Sequence, residues 1–241
     1  MASKKVLAFS SSRIGNSGFL EKAAPVINQF IGSKATNIAF FPFAAADKKY
    51  EEYGSAVKKG LKNSTLKINL VLPKNAVSVI EKADAILVGG GNTFKLLHDI
   101  YELNLLKMLR DKANGGTPFI GWSAGSNIIS PTISTTNDMP IIEPKSFKAL
   151  GLFPFQVNPH YFNKKIIGFN GETRDQRLEE VLKINPQISI VALPEGSYLK
   201  LENNLLQYFG ESIGFLFNSE KNKKGFVKTK INPGENISFL L

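Results

Sequence analysis

A serine flanked by glycines lies at residues 121–125, which read G-W-S-A-G and match the pattern G-x-S-x-G. An apolar stretch, 119–122, leads into it, and residues 126–129 resemble the start of a helix. A strand, a tight turn and a helix in this order are typical of a nucleophile elbow, in which glycines relieve backbone crowding. The pattern predicts Ser123 as a nucleophile and the Ala124 N–H as an oxyanion donor, aided by the helix N-terminus. A glycine-flanked turn without chemistry is the alternative.

A serine hydroxyl needs a neighbouring base, and the chain contains only two histidines. His160 follows the short apolar run 155–157, in a position where loops above a sheet carry functional groups. His98 falls inside a helical pattern and is expected to be an ordinary helical histidine. The sequence therefore predicts His160 as the general base, with an ordinary loop histidine as the alternative.

Two carboxylates are candidates for the group that orients the histidine. Glu195 follows a predicted strand at 188–193, whereas Asp138 lies in the loop 135–140. A strand end positions a side chain more rigidly than a loop, so Glu195 is preferred and Asp138 stays open as the alternative acid. Either residue has the further alternative of capping a turn. The order serine, histidine, acid differs from that of the α/β-hydrolases.

Three glycines, residues 89–91, end the fourth predicted strand just before a helix. Such a loop can supply a second oxyanion N–H or cradle a phosphate. The spacing G-x-G-x-x-G and a Walker lysine are both missing, so nucleotide binding is the weaker interpretation. The sequence predicts Gly91 as the second oxyanion donor beside Ser123.

An arginine begins the helix predicted at 173–183, directly after Thr173 as its N-cap. A cation in the first turn opposes the helix dipole, which a surface arginine normally avoids. Arg174 is therefore a candidate for binding a substrate carboxylate through its guanidinium fork. The alternative is an ion pair with Asp175 or Glu179.

Short apolar runs alternate with helical patterns through the first half of the chain, which predicts a doubly wound, mostly parallel α/β sheet. The strands are predicted at 6–9, 38–41, 68–71, 86–88 and 119–122, and the helices at 18–31, 50–61, 76–82 and 94–113. Residues 198–241 combine short β runs with turn signals and predict antiparallel strands at a sheet edge. Nothing separates domains, so residues 1–241 are expected to form one domain.

Composition narrows the chemistry and the partners. There is no cysteine, which excludes disulfides, thiolate metal sites and a thiol nucleophile. The net charge is +10, but the lysines are spread out, and the densest group, at 221–230, is expected to be a solvated surface. No aromatic–basic interleaving along the chain marks a nucleic-acid platform. Neither a nucleic-acid nor a membrane partner is expected, and the short apolar run after residue 5 predicts no signal peptide and a cytoplasmic protein.

These segments together resemble the peptidase E family of α-aspartyl dipeptidases, serine peptidase family S51, which also contains cyanophycinase. The resemblance spans nearly the whole chain. The matching segments are residues 10–13, 42–44, 89–94, 121–125, 131–140, 152–154, 158–160, 171–174 and 193–196. Departures are small: Tyr161 stands where phenylalanine is expected and Ser126 where alanine is expected.

The resemblance implies a role for each candidate residue. The implied triad is Ser123, His160 and Glu195, with Asp138 as the alternative acid. Gly91 and Ala124 match the oxyanion positions. Arg174 matches the arginine that holds an aspartyl side chain, and Asn92 and Asp138 are expected at the substrate. The implied fold is a three-layer α/β sandwich of the flavodoxin-like or class I glutamine amidotransferase-like type.

The implied activity is hydrolysis of dipeptides with an N-terminal aspartate through an acyl-enzyme, by a monomer that needs no metal or cofactor. A cyanophycinase-like activity or another serine hydrolase activity is the enzymatic alternative. A small-molecule or phosphate-binding module built on residues 89–91 is the non-enzymatic alternative.

Overall fold

The computed structural model describes residues 3–164, 167–168, 170–220 and 225–241. The strands are β1 Val6–Phe9, β2 Asn37–Phe41, β3 Lys67–Leu70, β4 Ala85–Val88, β5 Phe119–Trp122, β6 Gln156–Asn158, β7 Ser189–Ala192, β8 Tyr198–Glu202, β9 Leu205–Phe209, β10 Gly214–Ser219 and β11 Phe226–Ile231. The helices are α1 Ala24–Ile31, α2 Tyr50–Leu61, α3 Ala76–Glu81, α4 Thr93–Glu102, α5 Leu106–Asn114, α6 Ala124–Asn127 and α7 Arg174–Ile184, with a 3₁₀ turn at Ser238–Leu240.

The main sheet has seven strands in the order β3-β2-β4-β5-β1-β8-β9. The first five are parallel, and β8 and β9 continue the sheet antiparallel at one edge. Successive side chains of a strand point to opposite faces, and β1 shows this directly. Val6 and Ala8 join the core on one face, while Leu7 and Phe9 join the core on the other.

Helices cover both faces of this sheet because both faces are apolar. Residues of α1 and α2, such as Ile27 and Val57, pack on the face that carries Leu7. Residues of α3, α4 and α5, such as Ile80 and Leu97, pack on the opposite face. The predicted α/β sandwich with a doubly wound sheet is confirmed.

A second sheet was not predicted. It has four strands in the order β11-β10-β7-β6, with β6 and β7 parallel and the other pairs antiparallel. The sequence predicted antiparallel strands at a sheet edge for residues 198–241. Strands β8 and β9 lie at an edge of the main sheet, and β10 and β11 lie at an edge of the second sheet. Side chains of the second sheet, including Val157 and Val191, share the core of the main sheet, and α7 packs on its other face.

Two predicted helices differ in extent from the structure. Helix α1 begins at Ala24 rather than at residue 18, with a proline in its first turn, where the missing N–H costs nothing. The helix predicted at 94–113 is two helices, α4 and α5, separated by Asn104 in a left-handed conformation. Asparagine tolerates this conformation better than most residues, which allows the chain to turn there.

The lysine-rich segment contains one residue that is not a simple solvated charge. The Lys228 ammonium lies 2.8 Å from Asp175 Oδ2 and 4.3 Å from the centre of the Phe215 ring. The expectation of a plain solvated surface is therefore wrong for Lys228, and residues 221–224 lie outside the described residues. Within the described part of the chain, no helix has the length and apolar character needed to cross a membrane.

Candidate active site

Ser123 lies in a sharp turn between β5 and α6, with φ 54° and ψ −113°. This left-handed backbone is costly for serine and is held by close packing of the two flanking glycines. A Cβ on Gly121 would lie 2.4 Å from the Gly125 carbonyl carbon, and a Cβ on Gly125 would lie 2.2 Å from Val88 O. Only glycine fits at either position, so this turn can form only with the two glycines of the G-x-S-x-G pattern.

The helix after Ser123 is short. Helix α6 contains four residues, too few for a substantial macrodipole. Its contribution is local: the N–H groups of Ser126 and Asn127 donate to the Ser123 carbonyl. The Ala124 N–H has no partner among the described residues, so it is available to a developing oxyanion.

His160 lies directly beside Ser123. Its Nε2 is 2.9 Å from Ser123 Oγ, and its Nδ1 is 3.0 Å from Glu195 Oε1. A carboxylate can only accept, so Nδ1 carries the hydrogen and Nε2 is free to take the serine proton. The three side chains form one hydrogen-bonded series suited to general-base activation of a hydroxyl.

The topology explains how these residues meet. Strands β6 and β7 are parallel neighbours, so their carboxyl ends share one edge of the second sheet. His160 follows β6 and Glu195 follows β7 at that edge, while Ser123 follows β5 in the main sheet. The candidate site therefore forms where the carboxyl ends of strands from both sheets come together.

A buried serine connects the main sheet to the second sheet at this junction. The Ser10 hydroxyl, at the carboxyl end of β1, donates to Leu193 O at 2.8 Å and accepts from the His160 N–H at 2.9 Å. His160 has φ 52°, an unfavourable conformation that these bonds help to maintain. Sequence reasoning gave Ser10 no role, although its position after a central strand was a usable signal.

The glycine loop, residues 89–91, lies against the nucleophile. A Cβ on Gly90 would be 3.0 Å from Ser123 Cβ. Gly91 has φ +135°, and a Cβ there would lie 2.3 Å from Ala44 O, so glycine is required. Gly91 is an exposed residue, and its N–H has no partner among the described residues, which leaves it available beside Ser123.

Asp138 is not brought to His160. Its Oδ2 accepts from the Thr93 N–H at 2.7 Å and from the Thr136 hydroxyl at 3.0 Å, at the start of α4. This arrangement matches the capping role that the sequence left open for either carboxylate. Between the two candidate acids, only Glu195 lies within hydrogen-bonding distance of the imidazole.

The side-chain amide of Asn92 makes two hydrogen bonds within the protein. Its Oδ1 caps α4 by accepting from the Lys95 N–H at 3.0 Å, and its Nδ2 donates to Met139 O at 2.8 Å. These bonds join the glycine loop to the loop that carries Asp138. These two bonds give the amide a positioning role. The placement of Asn92 at the substrate stays a prediction.

Arg174 forms neither of the ion pairs that were the alternative to ligand binding. Asp175 pairs with Lys228, and Glu179 pairs with Lys183. One guanidinium nitrogen of Arg174, Nη1, is buried without a hydrogen-bond partner. Burial and the neighbouring charge of Arg177 lower the pKa of Arg174. A buried donor without a partner next to a second cation favours an anionic ligand.

A hydrogen-bond network holds the start of α7 against the site. The Tyr161 hydroxyl donates to Asp175 Oδ1, and burial and this carboxylate raise the pKa of Tyr161. Tyr161 directly follows His160 in the chain, and its N–H donates to Leu193 O at 2.9 Å. Thr173 caps α7 as predicted, in a capping box with Gln176. Tyr161 thus links the backbone around His160 to the residue after Arg174.

The fold and the series of serine, histidine and glutamate give the chain the architecture of a serine hydrolase. Residues 6–208 match the profile of peptidase family S51. Peptidase E of Nostoc sp. is 45% identical over 240 residues, which cover 99% of this chain and 97% of the relative. Peptidase E of Shewanella putrefaciens is 44% identical over 236 residues, which cover 98% of each. The chain belongs to peptidase family S51 and is a peptidase.

Solved structures agree on the fold. A peptidase E-type protein from Listeria monocytogenes superposes with a TM-score of 0.65 at 22% identity, covering 88% of this chain and 100% of that one. A peptidase from an acI-B1 Actinobacterium superposes with a TM-score of 0.64 at 16% identity, covering 98% of this chain and 97% of that one. The family resemblance seen in the sequence is confirmed, and the non-enzymatic alternative is set aside.

Proposed function

We propose that this peptidase is a serine dipeptidase that releases an N-terminal aspartate from dipeptides. The observation that carries the proposal is the series Ser123 Oγ, His160 and Glu195, with separations of 2.9 and 3.0 Å. It is supported by the buried, unpartnered guanidinium nitrogen of Arg174. The series supplies an activated nucleophile, and the guanidinium supplies selection for an acidic side chain.

In the proposed reaction, Ser123 Oγ attacks the scissile carbonyl carbon while His160 Nε2 takes the hydroxyl proton. The resulting oxyanion is stabilised by the N–H groups of Gly91 and Ala124, which have no other partner among the described residues. The C–N bond then breaks, and His160 gives its proton to the leaving amine. Water repeats the sequence on the ester, so that aspartate leaves and the serine is restored.

Glu195 holds the imidazole in the required tautomer and stabilises the imidazolium. The pair is open to solvent, with 40% of the His160 side chain and 55% of the Glu195 side chain exposed. Coulomb attraction is weak at such exposure, so orientation of the ring is the larger part of its effect.

Substrate selection depends on charge at two places. Arg174 binds the aspartyl carboxylate, because ion pairing satisfies the buried nitrogen that has no partner within the protein. The free α-ammonium is assigned to Asp138, whose Oδ1 has no partner in the described part of the chain while Oδ2 caps α4. Glu172, exposed just before α7, is the second candidate acceptor. A blocked N-terminus would remove the ammonium and its binding energy.

The remaining expectations belong to the same proposal. Small peptides are the partners, the chain acts as a monomer, and its compartment is the cytoplasm. The proposed chemistry uses only side chains and backbone amides, and it calls for no metal or cofactor.

The test is a substrate panel with wild type and Ser123→Ala. Asp-Leu is compared with Glu-Leu, Asn-Leu, N-acetyl-Asp-Leu and Asp-p-nitroanilide, with Leu release or chromophore release as the readout. The proposal predicts turnover of substrates with a free N-terminal aspartate, and its loss in the variant. Undiminished turnover by Ser123→Ala would contradict the mechanism. Turnover of polymeric or blocked aspartyl substrates in place of Asp-Leu would favour the cyanophycinase-like alternative.

A further inference from the structure

The peptide group between Gly90 and Gly91 is held from behind by a tyrosine of α2. The Tyr53 hydroxyl donates to Gly90 O at 3.1 Å, and the Trp122 indole N–H donates to the Tyr53 oxygen, also at 3.1 Å. An indole N–H is only a donor, so the tyrosine oxygen must accept from it. The hydroxyl hydrogen of Tyr53 is then left to donate to the Gly90 carbonyl. The two hydrogen bonds therefore run in one direction, from Trp122 through Tyr53 to Gly90.

The same peptide group carries the proposed oxyanion donor. The bond between Gly90 and Gly91 is trans, so the Gly90 C=O and the Gly91 N–H point in opposite directions. A donor on Gly90 O therefore fixes the direction of the Gly91 N–H on the other side. It also polarises that N–H, because hydrogen bonds in series strengthen one another.

The surroundings of Tyr53 keep this arrangement rigid. A Cβ on Gly89 would lie 2.6 Å from the Tyr53 oxygen, so the hydroxyl lies close against the loop. The Tyr53 ring packs edge-on against Phe40, which is stacked with Trp122. Burial raises the pKa of Tyr53 to about 12, so the hydroxyl keeps its hydrogen at neutral pH.

The rest of the loop is also anchored. The Gly89 N–H donates to Phe41 O at 3.0 Å, and the Asn92 N–H donates to Ala44 O at 2.8 Å. The Gly91 N–H lies between these two anchors without a partner among the described residues. An exposed, unpaired donor in an otherwise fixed loop is the arrangement expected of a preorganised oxyanion site.

We propose that Tyr53, supported by Trp122, is a positioning residue that orients the Gly91 N–H toward the oxyanion. The inference rests on the proposed acyl transfer at Ser123. It adds a relay from the indole through the tyrosine hydroxyl and the Gly90 carbonyl to the oxyanion. Tyr53 touches no substrate and acts only through the peptide group.

The test compares Tyr53→Phe with Tyr101→Phe. Both changes remove a hydroxyl that donates to a backbone carbonyl, and the Tyr101 hydroxyl bonds Lys148 O, away from the glycine loop. Deleting an oxyanion donor costs 10²- to 10³-fold in kcat, so loss of its support should cost roughly 10-fold. We expect this fall in kcat on Asp-Leu with KM nearly unchanged for Tyr53→Phe, and wild-type kinetics for Tyr101→Phe. Trp122→Phe should show a smaller fall of the same kind.

A second readout does not depend on aspartate recognition. The rate at which an uncharged fluorophosphonate labels Ser123 requires the nucleophile and the oxyanion donors, but not Arg174. We expect labelling of Tyr53→Phe to be slower by roughly 10-fold, in line with its kcat. Thermal unfolding of each variant reports any loss of stability separately.

The outcomes separate the two proposals. Wild-type kcat and labelling in Tyr53→Phe would overturn the relay while leaving the dipeptidase proposal intact. If the wild-type protein cleaves no aspartyl dipeptide but Tyr53→Phe is still labelled more slowly than wild type, the relay would be supported and the proposed aspartyl substrate would be refuted. Failure of the reagent to label Ser123 in the wild type would overturn both.

Discussion

The candidate site has two halves that are held in place by different means. The nucleophile half, residues 89–93 and 121–127, is fixed by backbone packing: a Cβ on Gly91 or Gly125 would lie 2.3 or 2.2 Å from a backbone oxygen. The acid–base half, His160, Glu195 and Arg174, is fixed by side-chain hydrogen bonds around loops, and its side chains are partly exposed. Changes at the glycines of the first half should therefore threaten folding, whereas changes in the second should alter catalysis in a folded protein.

The largest effect is expected from Ser123→Ala. Removing the nucleophile should lower kcat on Asp-Leu by about 10⁴-fold or more, since only oxyanion stabilisation and binding remain. Ser123 Oγ has no role in the packing of the turn, so thermal unfolding should match wild type. A variant that unfolds at a much lower temperature would show that the hydroxyl also supports the fold.

Glu195→Gln should lower kcat by roughly 10²- to 10³-fold, less than loss of a buried triad acid, because Glu195 is partly exposed. Asp138→Asn is the comparison, and it should alter KM and stability more than kcat. Initial-rate kinetics of both variants on Asp-Leu provide the measurement. A larger kcat loss in Asp138→Asn than in Glu195→Gln would reverse the assignment of the acid.

Gly125→Ala tests the packing of the nucleophile half. The added methyl would collide with the Val88 carbonyl, and we expect the free energy of unfolding to fall by about 3 kcal/mol. Gly225→Ala is the matched control, because a Cβ there would lie 3.7 Å from its nearest neighbour among the described residues, Glu220 Oε2, which is an ordinary contact distance. Equal free energies of unfolding of the two variants in urea would argue against backbone packing as the interaction that holds the nucleophile half in place.

Arg174→Gln should lower kcat/KM for Asp-Leu by about 10- to 100-fold, because one charged hydrogen-bonding group at the aspartyl carboxylate is lost. Asn-Leu, which lacks the charge, should be affected much less. Lys183→Gln removes an exposed cation in the last turn of α7 and serves as the control. An unchanged ratio of Asp-Leu to Asn-Leu in Arg174→Gln would place aspartate recognition elsewhere.

The smallest effect is expected from Tyr161→Phe. This variant loses the hydroxyl that donates to Asp175 and should loosen the start of α7. We expect a rise in KM for Asp-Leu of about 3- to 10-fold with little change in kcat. Tyr208→Phe, which removes a hydroxyl bonded to Ser212 O, is the control. A fall in kcat without a rise in KM would mean that the network acts on His160 instead.

The same contrast explains what the sequence could predict. The nucleophile half is local, so G-x-S-x-G and the glycine loop could be found as patterns within a few residues. Glu195 could be favoured over Asp138 because it follows a strand. The second sheet could not be predicted, since β6 is three residues long and pairs with a strand about thirty residues away. The role of Ser10 had only its position after a central strand as a signal. The role of Tyr53 depends on contacts between distant parts of the chain, which carry no local signal.

The most direct test of the proposed mechanism is a crystal structure of Ser123→Ala with Asp-Leu bound, because it shows both halves acting on one substrate. We expect the aspartyl carboxylate on the Arg174 guanidinium and the scissile carbonyl oxygen between the N–H groups of Gly91 and Ala124. A dipeptide bound with its side-chain carboxylate away from Arg174, or with its carbonyl oxygen outside that pair of amides, would contradict it.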